Sequence, residues 1–139
     1  RFGDPETQVV LPLLETDIMD IIEAVWEEKL DTLDIKWSDK SCACVVMASG
    51  GYPEKYETGK VISGLDENGQ CEGAFVYHAG TKLEDGKFLT AGGRVLGITA
   101  YGDTLKEALD TAYKAVDTIS FEKAHYRHDI GKKALSALK

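Results

Sequence analysis

Arg94 is the residue most open to chemical use, and it stands behind a glycine pair in the run Gly92-Gly93-Arg94-Val95-Leu96-Gly97-Ile98-Thr99-Ala100. The run reads as a strand entered through two glycines, with one cation at its mouth. Strand side chains alternate, so Arg94, Leu96, Ile98 and Ala100 are expected to share a face. Gly93 and Gly97 remove side chains where a backbone or a ligand could come close. A guanidinium held there makes a fork for a carboxylate or a phosphate. The other reading is a surface arginine after an ordinary Gly-Gly turn. His78 and Thr81 close a neighbouring strand-like run and could line the same cleft, or His78 could be structural. Arg127, His128 and Asp129 read as an ion-pair cluster, and exposed clusters of that kind contribute little.

Cys42, Cys44 and Cys71 lack C-x-x-C spacing and are odd in number. They read as reduced thiols packed as small hydrophobes in a cytosolic core, not as a metal site, which needs more ligands at better spacing. The net charge of −8 over 139 residues argues against nucleic acid or anionic lipid as partners. A chain of this length can bury enough surface to fold without a disulfide or a metal. No apolar run is long enough for a membrane helix, and no signal peptide is evident. The first residue is Arg, with no initiator Met, so the chain is expected to be a piece of a longer protein.

The elements that must position these residues follow from patterning. Asp4 reads as an N-cap, Pro5 as the first helical residue and Glu6 as a first-turn acid, with a break expected near Pro12. Thr16-Asp17 opens a second helix whose stripe is Ile18, Ile21, Ile22, Val25 and Lys29, with Trp26 at its edge. Ile35 to Trp37 reads as a short strand. Ser41 to Ala48 reads as a longer strand covered on both faces. Ala74 to Thr81 is a strand joined through Asp85-Gly86, a strong hairpin signal, to Phe88-Leu89-Thr90. Thr104-Leu105-Lys106-Glu107 is a capping box opening a long helix with Leu105, Ala108, Leu109, Ala112, Val116 and Ile119 on one stripe. Clustered strands followed by a helix give an α+β fold: a helical lead-in, then an antiparallel sheet with one long helix across a face.

Six motifs occur in order: Arg1-Phe2-Gly3-Asp4-Pro5-Glu6-Thr7-Gln8, Gly51-Tyr52-Pro53, His78-Ala79-Gly80-Thr81, Asp85-Gly86-Lys87, Gly92 to Gly97, and Tyr126 to Gly131. Together they resemble phosphoribosylamine–glycine ligases, also called glycinamide ribonucleotide synthetases, over nearly the whole chain. Glu54 departs from the glycine frequent after Gly-Tyr-Pro, and His128 from a common second arginine. The resemblance implies a cytoplasmic ATP-grasp ligase of de novo purine synthesis. In that family ATP phosphorylates the glycine carboxylate, and the amine of 5-phosphoribosylamine attacks the glycyl phosphate. The products are glycinamide ribonucleotide, ADP and phosphate, and magnesium or manganese assists.

The family's metal-binding Glu-x-Asn lies just upstream of the Arg-Phe-Gly run. By resemblance, then, this chain is a carboxy-terminal part that lacks the amino-terminal and nucleotide-clamping domains. It is expected to be inactive alone and to bind neither ATP nor metal productively, and no metal ligand is assigned to it. Residues 1–33 are expected to be the tail of the ATP-grasp domain and residues 34–139 the carboxy-terminal domain. The resemblance makes Arg1 catalytic, touching glycine or glycyl phosphate; pairing with Asp4 or Glu6 is its structural alternative. Arg94, with Gly93 beside it, is expected to hold the phosphate or ribose side of 5-phosphoribosylamine, with His78, Thr81 and Asp4 as further substrate contacts. Two other readings compete: a stand-alone ligand-binding or interaction module, and a different ATP-grasp ligase of the same pathway.

Overall fold

The computed structural model describes residues 2–137. A short helix α1 (Thr7–Val10) runs into a 3-10 turn at Leu11–Leu13, where Pro12 ends the α-helical pattern. Helix α2 spans Ile18–Trp26 and is capped by Asp17, whose carboxylate accepts from the Met19 N–H at 2.8 Å. Strands follow as β1 (Ser41–Ala48), β2 (Phe75–His78), β3 (Thr81–Glu84), β4 (Lys87–Thr90) and β5 (Arg94–Gly102). Helix α3 (Leu105–Thr118) and a short α4 (Lys132–Ala137) complete the chain. The α+β expectation holds.

The main sheet has the order β1-β5-β2, antiparallel throughout, and β3 and β4 form a separate hairpin. Asp85 and Gly86 carry the hairpin turn with φ of 48° and 73°, the left-handed pair that matches the twist of the flanking strands. The run from Ala74 to Thr81 is not one strand. It breaks at Ala79-Gly80, where both N–H groups turn to the Val95 carbonyl and the Gly80 carbonyl accepts from Ala91. Ile35 to Trp37 is not a strand either; a single bridge joins Trp37 to Leu14.

Helix α3 crosses β5 and β1. Its capping box forms as the sequence implies: the Thr104 hydroxyl accepts from Glu107 N–H, and the Glu107 carboxylate accepts from Thr104 N–H. Ala112, Ala115 and Val116 of α3 pack on Val45, Met47, Val76, Leu96 and Ile98. Burial of the larger members stabilises by about 1.5–3 kcal/mol each before chain entropy is charged. The small helix residues let α3 sit close to the sheet.

β1 is buried on one face only. Ala43, Val45 and Met47 face α3, whereas Cys42, Cys44 and Val46 are half-buried. What covers that second face is the segment through α1. Gln8 receives the Cys44 thiol (3.1 Å) on its side chain and the Thr99 hydroxyl (3.2 Å) on its carbonyl, and Pro12 receives the Tyr101 hydroxyl (3.2 Å). Gly97 lies directly beneath the Gln8 side chain, which a Cβ would strike. Helix α2, in contrast, buries none of its residues; Met19, Ile22, Val25 and Trp26 are exposed. Among the described residues no helix is long and apolar enough to cross a membrane.

Candidate functional site

Regular alternation would put Arg94 on the α3 side of β5, and that expectation fails. Met47 pairs with Leu96, but Ala48 pairs with Arg94, so the register slips between them. Val95 is the extra residue of a β-bulge, and it drops into the core at 0% exposure. A bulge turns the following side chains over. Arg94 thereby moves to the second face, in line with Val46 and Cys44 and away from Leu96 and Ile98. A fully buried guanidinium without a partner would be costly; the bulge delivers it to an open edge instead.

That edge is a cleft of about 490 Å³. Pro5, Cys44, Val46, Ala48, Pro53 and Ile130 give it apolar walls, and Arg94, Tyr52, His125, Tyr126 and Arg127 supply its polar groups. Three stretches of chain meet there. The Ser49–Pro53 turn is bonded to the glycine pair, since the Ser49 N–H donates to Gly93 O and its hydroxyl to Gly92 O, both at 2.8 Å. The carboxy-terminal stretch joins through His125, which exchanges backbone hydrogen bonds with Ala48 at 2.9 and 3.1 Å. The amino-terminal loop brings Asp4.

Asp4 is not an N-cap: the capping position of α1 is Glu6, without a side-chain cap bond. Its carboxylate instead stands 3.0 Å from the Arg94 guanidinium, which also donates to the Asp4 carbonyl at 3.1 Å. The carboxylate thus faces Arg94 and not the N–H groups of the helix start. Tyr52 first, and Asp4 after it, push the Arg94 pKa above its ordinary value, so the cation is permanent. Gly93 is buried against the Tyr52 ring, and a Cβ there would collide with it.

Arg127 is a second arginine among the residues lining the cleft. It holds Asp129 in a fork, Nε to Oδ1 and Nη2 to Oδ2, both 2.8 Å. That pairing holds the Asp129 carboxyl below the usual carboxylate range. The cluster of Arg127 and Asp129 is thus present as read, but His128 stacks near Tyr126 with ring centroids 4.6 Å apart. Nothing in the sequence marks Tyr52 or Arg127 as a ligand contact. Tyr52 belongs to the Gly-Tyr-Pro motif, and its place beside a glycine pair forty residues on is a tertiary fact.

His78 and Thr81 lie outside the lining of this cleft. The two bond each other, with His78 Nδ1 and Thr81 Oγ1 2.8 Å apart, while His78 Nε2 lies 2.8 Å from Gly69 O. Gly69 O can only accept, so Nε2 carries the proton and the Thr81 hydroxyl donates to Nδ1. Both ring nitrogens are thereby occupied in tying the 66–70 turn to the hairpin. Arg1 lies outside the described residues. Burial pushes the Cys42 thiol up to about 11 and the Cys44 and Cys71 thiols above their ordinary value, which leaves no ready thiolate at neutral pH. Among the described residues no three His, Cys, Asp or Glu side chains converge as a metal ion requires.

What the cleft offers chemically is a fixed cation, Arg94, on a half-apolar wall, suited to an anionic group. Residues 42–133 match the family described as "Phosphoribosylglycinamide synthetase, C domain". A phosphoribosylamine–glycine ligase of Caldanaerobacter subterraneus is 55% identical over 94% of this chain and 30% of its own length. A bifunctional purine biosynthetic protein of Dictyostelium discoideum is 50% identical over 99% of the chain and 17% of its own. A crystal structure of phosphoribosylamine–glycine ligase from Thermotoga maritima superposes with a TM-score of 0.72 at 33% identity, covering 93% of this chain and 31% of that one. The chain thus spans less than a third of the length of these relatives.

Proposed function

The chain belongs to the phosphoribosylglycinamide synthetase carboxy-terminal domain family, and on that premise we propose that it works as the carboxy-terminal part of a phosphoribosylamine–glycine ligase. The parent enzyme joins glycine to 5-phosphoribosylamine in purine biosynthesis, in the cytoplasm, at the cost of ATP and with magnesium or manganese bound by its other lobes. This chain supplies neither the nucleotide site nor the metal site. Its share is to wall the substrate cleft and hold an anionic part of 5-phosphoribosylamine. Arg94 grips that group, Tyr52 and buried Gly93 fix the angle of its strand end, and Asp4 balances its charge until substrate arrives. Arg1 keeps its assignment, by resemblance, to glycine or glycyl phosphate. His78 and Thr81 act at one remove, by shaping the hairpin beside Gly80 and the glycine pair.

The observation that carries this reading is the bulge at Val95, which turns Arg94 out of the core and into the cleft. The domain division at residues 33 and 34 is supported by two features. The family match begins at residue 42, and α2, before the boundary, leaves its apolar stripe uncovered. We assign that stripe to packing against the amino-terminal lobes of the parent chain.

A charge-assisted hydrogen bond contributes about 1.5–3 kcal/mol. Arg94→Ala in the complete ligase is therefore expected to raise KM for 5-phosphoribosylamine roughly ten- to a hundredfold, with KM for ATP and glycine nearly unchanged. An unaltered KM for 5-phosphoribosylamine removes Arg94 from the site. Absence of glycine-dependent ATP cleavage in the complete protein removes the assigned activity.

A further inference from the structure

Two arginines line one cleft, and the guanidinium of each rests on a carboxylate of its own. Arg94 is held by Asp4 at 3.0 Å, and Arg127 by the two oxygens of Asp129 at 2.8 Å each. The arginines reach the cleft on unrelated elements, the bulged start of β5 and the stretch after His125. We propose that Arg127 is a second anion-holding arm of this cleft, and that with Arg94 it binds a phosphate monoester dianion by exchange for the resting carboxylates. This rests on the reading of the cleft given above and deepens it, assigning the arms to the phosphate of the ribose substrate rather than to ATP or the glycine carboxylate.

The base of the Arg127 arm is rigid. The Tyr113 hydroxyl, on α3, donates to the Arg127 carbonyl at 2.7 Å and accepts from the Ile130 N–H at 3.2 Å. Tyr126 beside it donates to Asp117 at 3.3 Å. The backbone is therefore pinned to the core helix, while the Arg127 side chain is 72% exposed to solvent and ligand. A functional group on a fixed base loses little freedom when it engages a ligand.

The resting partner also indicates the ligand. Asp129 presents two oxygens to the guanidinium fork, the geometry in which a phosphate offers two of its own. Exposed ion pairs contribute little, so the exchange is easy. A monoanionic carboxylate would replace like with like against an intramolecular competitor already in place. A dianion spanning both arms sets its second negative charge against the second cation.

The test is steady-state kinetics of the complete ligase with 5-phosphoribosylamine, ATP and glycine each varied in turn. Arg127→Ala is expected to raise KM for 5-phosphoribosylamine at least tenfold, with kcat and the other two KM values within twofold. Arg127→Lys, which keeps the charge and loses the fork, should recover part of that loss, and it keeps the site testable if the alanine variant folds poorly. Asp129→Asn, which frees the guanidinium, should lower the same KM. If Arg127→Ala leaves that KM within twofold while Arg94→Ala raises it, the second arm is overturned and the Arg94 reading stands. If neither variant moves it, both fall. A rise confined to KM for ATP or glycine assigns the arm to a different anion, and a rise with Asp129→Asn overturns the exchange.

Discussion

Gly93→Ala isolates the contact that sets the direction of Arg94. The buried Gly93 lies under the Tyr52 ring, and an added Cβ would meet that ring with Tyr56 Cε1 a further 3.1 Å away. The backbone has no room to retreat, because buried Ser49 bonds both glycine carbonyls from the other side at 2.8 Å. Overpacking of this kind costs about 1–3 kcal/mol. Replacing glycine at an angle that alanine tolerates returns about 0.4–1 kcal/mol through the unfolded chain. The net loss is roughly 0–2.6 kcal/mol, a fall in Tm of up to about 10 °C for a chain of this size. The decisive assay is a double-mutant cycle with Tyr52→Ala, read by thermal and urea unfolding. With the ring removed, Gly93→Ala should become neutral or slightly stabilising, so the coupling energy should equal the overpacking cost. Costs that agree in both backgrounds to within about 0.5 kcal/mol, the spread of independent sites, would refute the packing argument and with it the positioning role of Tyr52.

The capping box of α3 gives another measurable quantity. Thr104→Ala should lose about 1 kcal/mol, seen as a lower Tm, and adding Glu107→Ala should cost less than the sum of the single variants because the two bonds are reciprocal. The cysteines predict a pH dependence. Burial raises the Cys42 pKa from 9.0 to about 11, so between those values the folded chain keeps a proton that the unfolded chain has released. Stability must then fall as pH rises from about 9 to 11, and Cys42→Ala should flatten that part of the Tm-against-pH curve. A curve of unchanged slope in Cys42→Ala would show that the thiol does not titrate in this way.

Local chemistry made much of the fold legible in the chain itself. Thr104-x-x-Glu107 marks a helix start because the two side chains satisfy orphan N–H groups of the first turn. Asp85-Gly86 marks a hairpin because few residue pairs tolerate two successive left-handed angles. The apolar stripe of α3 follows from periodicity, and the strand at Ser41 to Ala48 from its continuous apolar run, though only one of its faces is fully buried. The ordered motifs were likewise sufficient to name the family.

Facing, coverage and partnership needed the third dimension. Alternation places Arg94 beside Leu96; a one-residue slip opposite Ala48 puts it on the other side, and no local signal at Val95 announces that slip. The sequence offers Asp4 as a helix cap, because capping is the strongest interaction available within a few residues. In the folded chain a guanidinium ninety positions away competes for the same carboxylate and wins. His78 resembles a site residue until Gly69 and Thr81 claim both of its ring nitrogens. Residue type and spacing determine which local structures can form, since those depend on neighbours along the chain. Which way a charged side chain points, and what it meets there, depends on register between strands far apart in sequence, and that is settled only when the sheet and helix pack together.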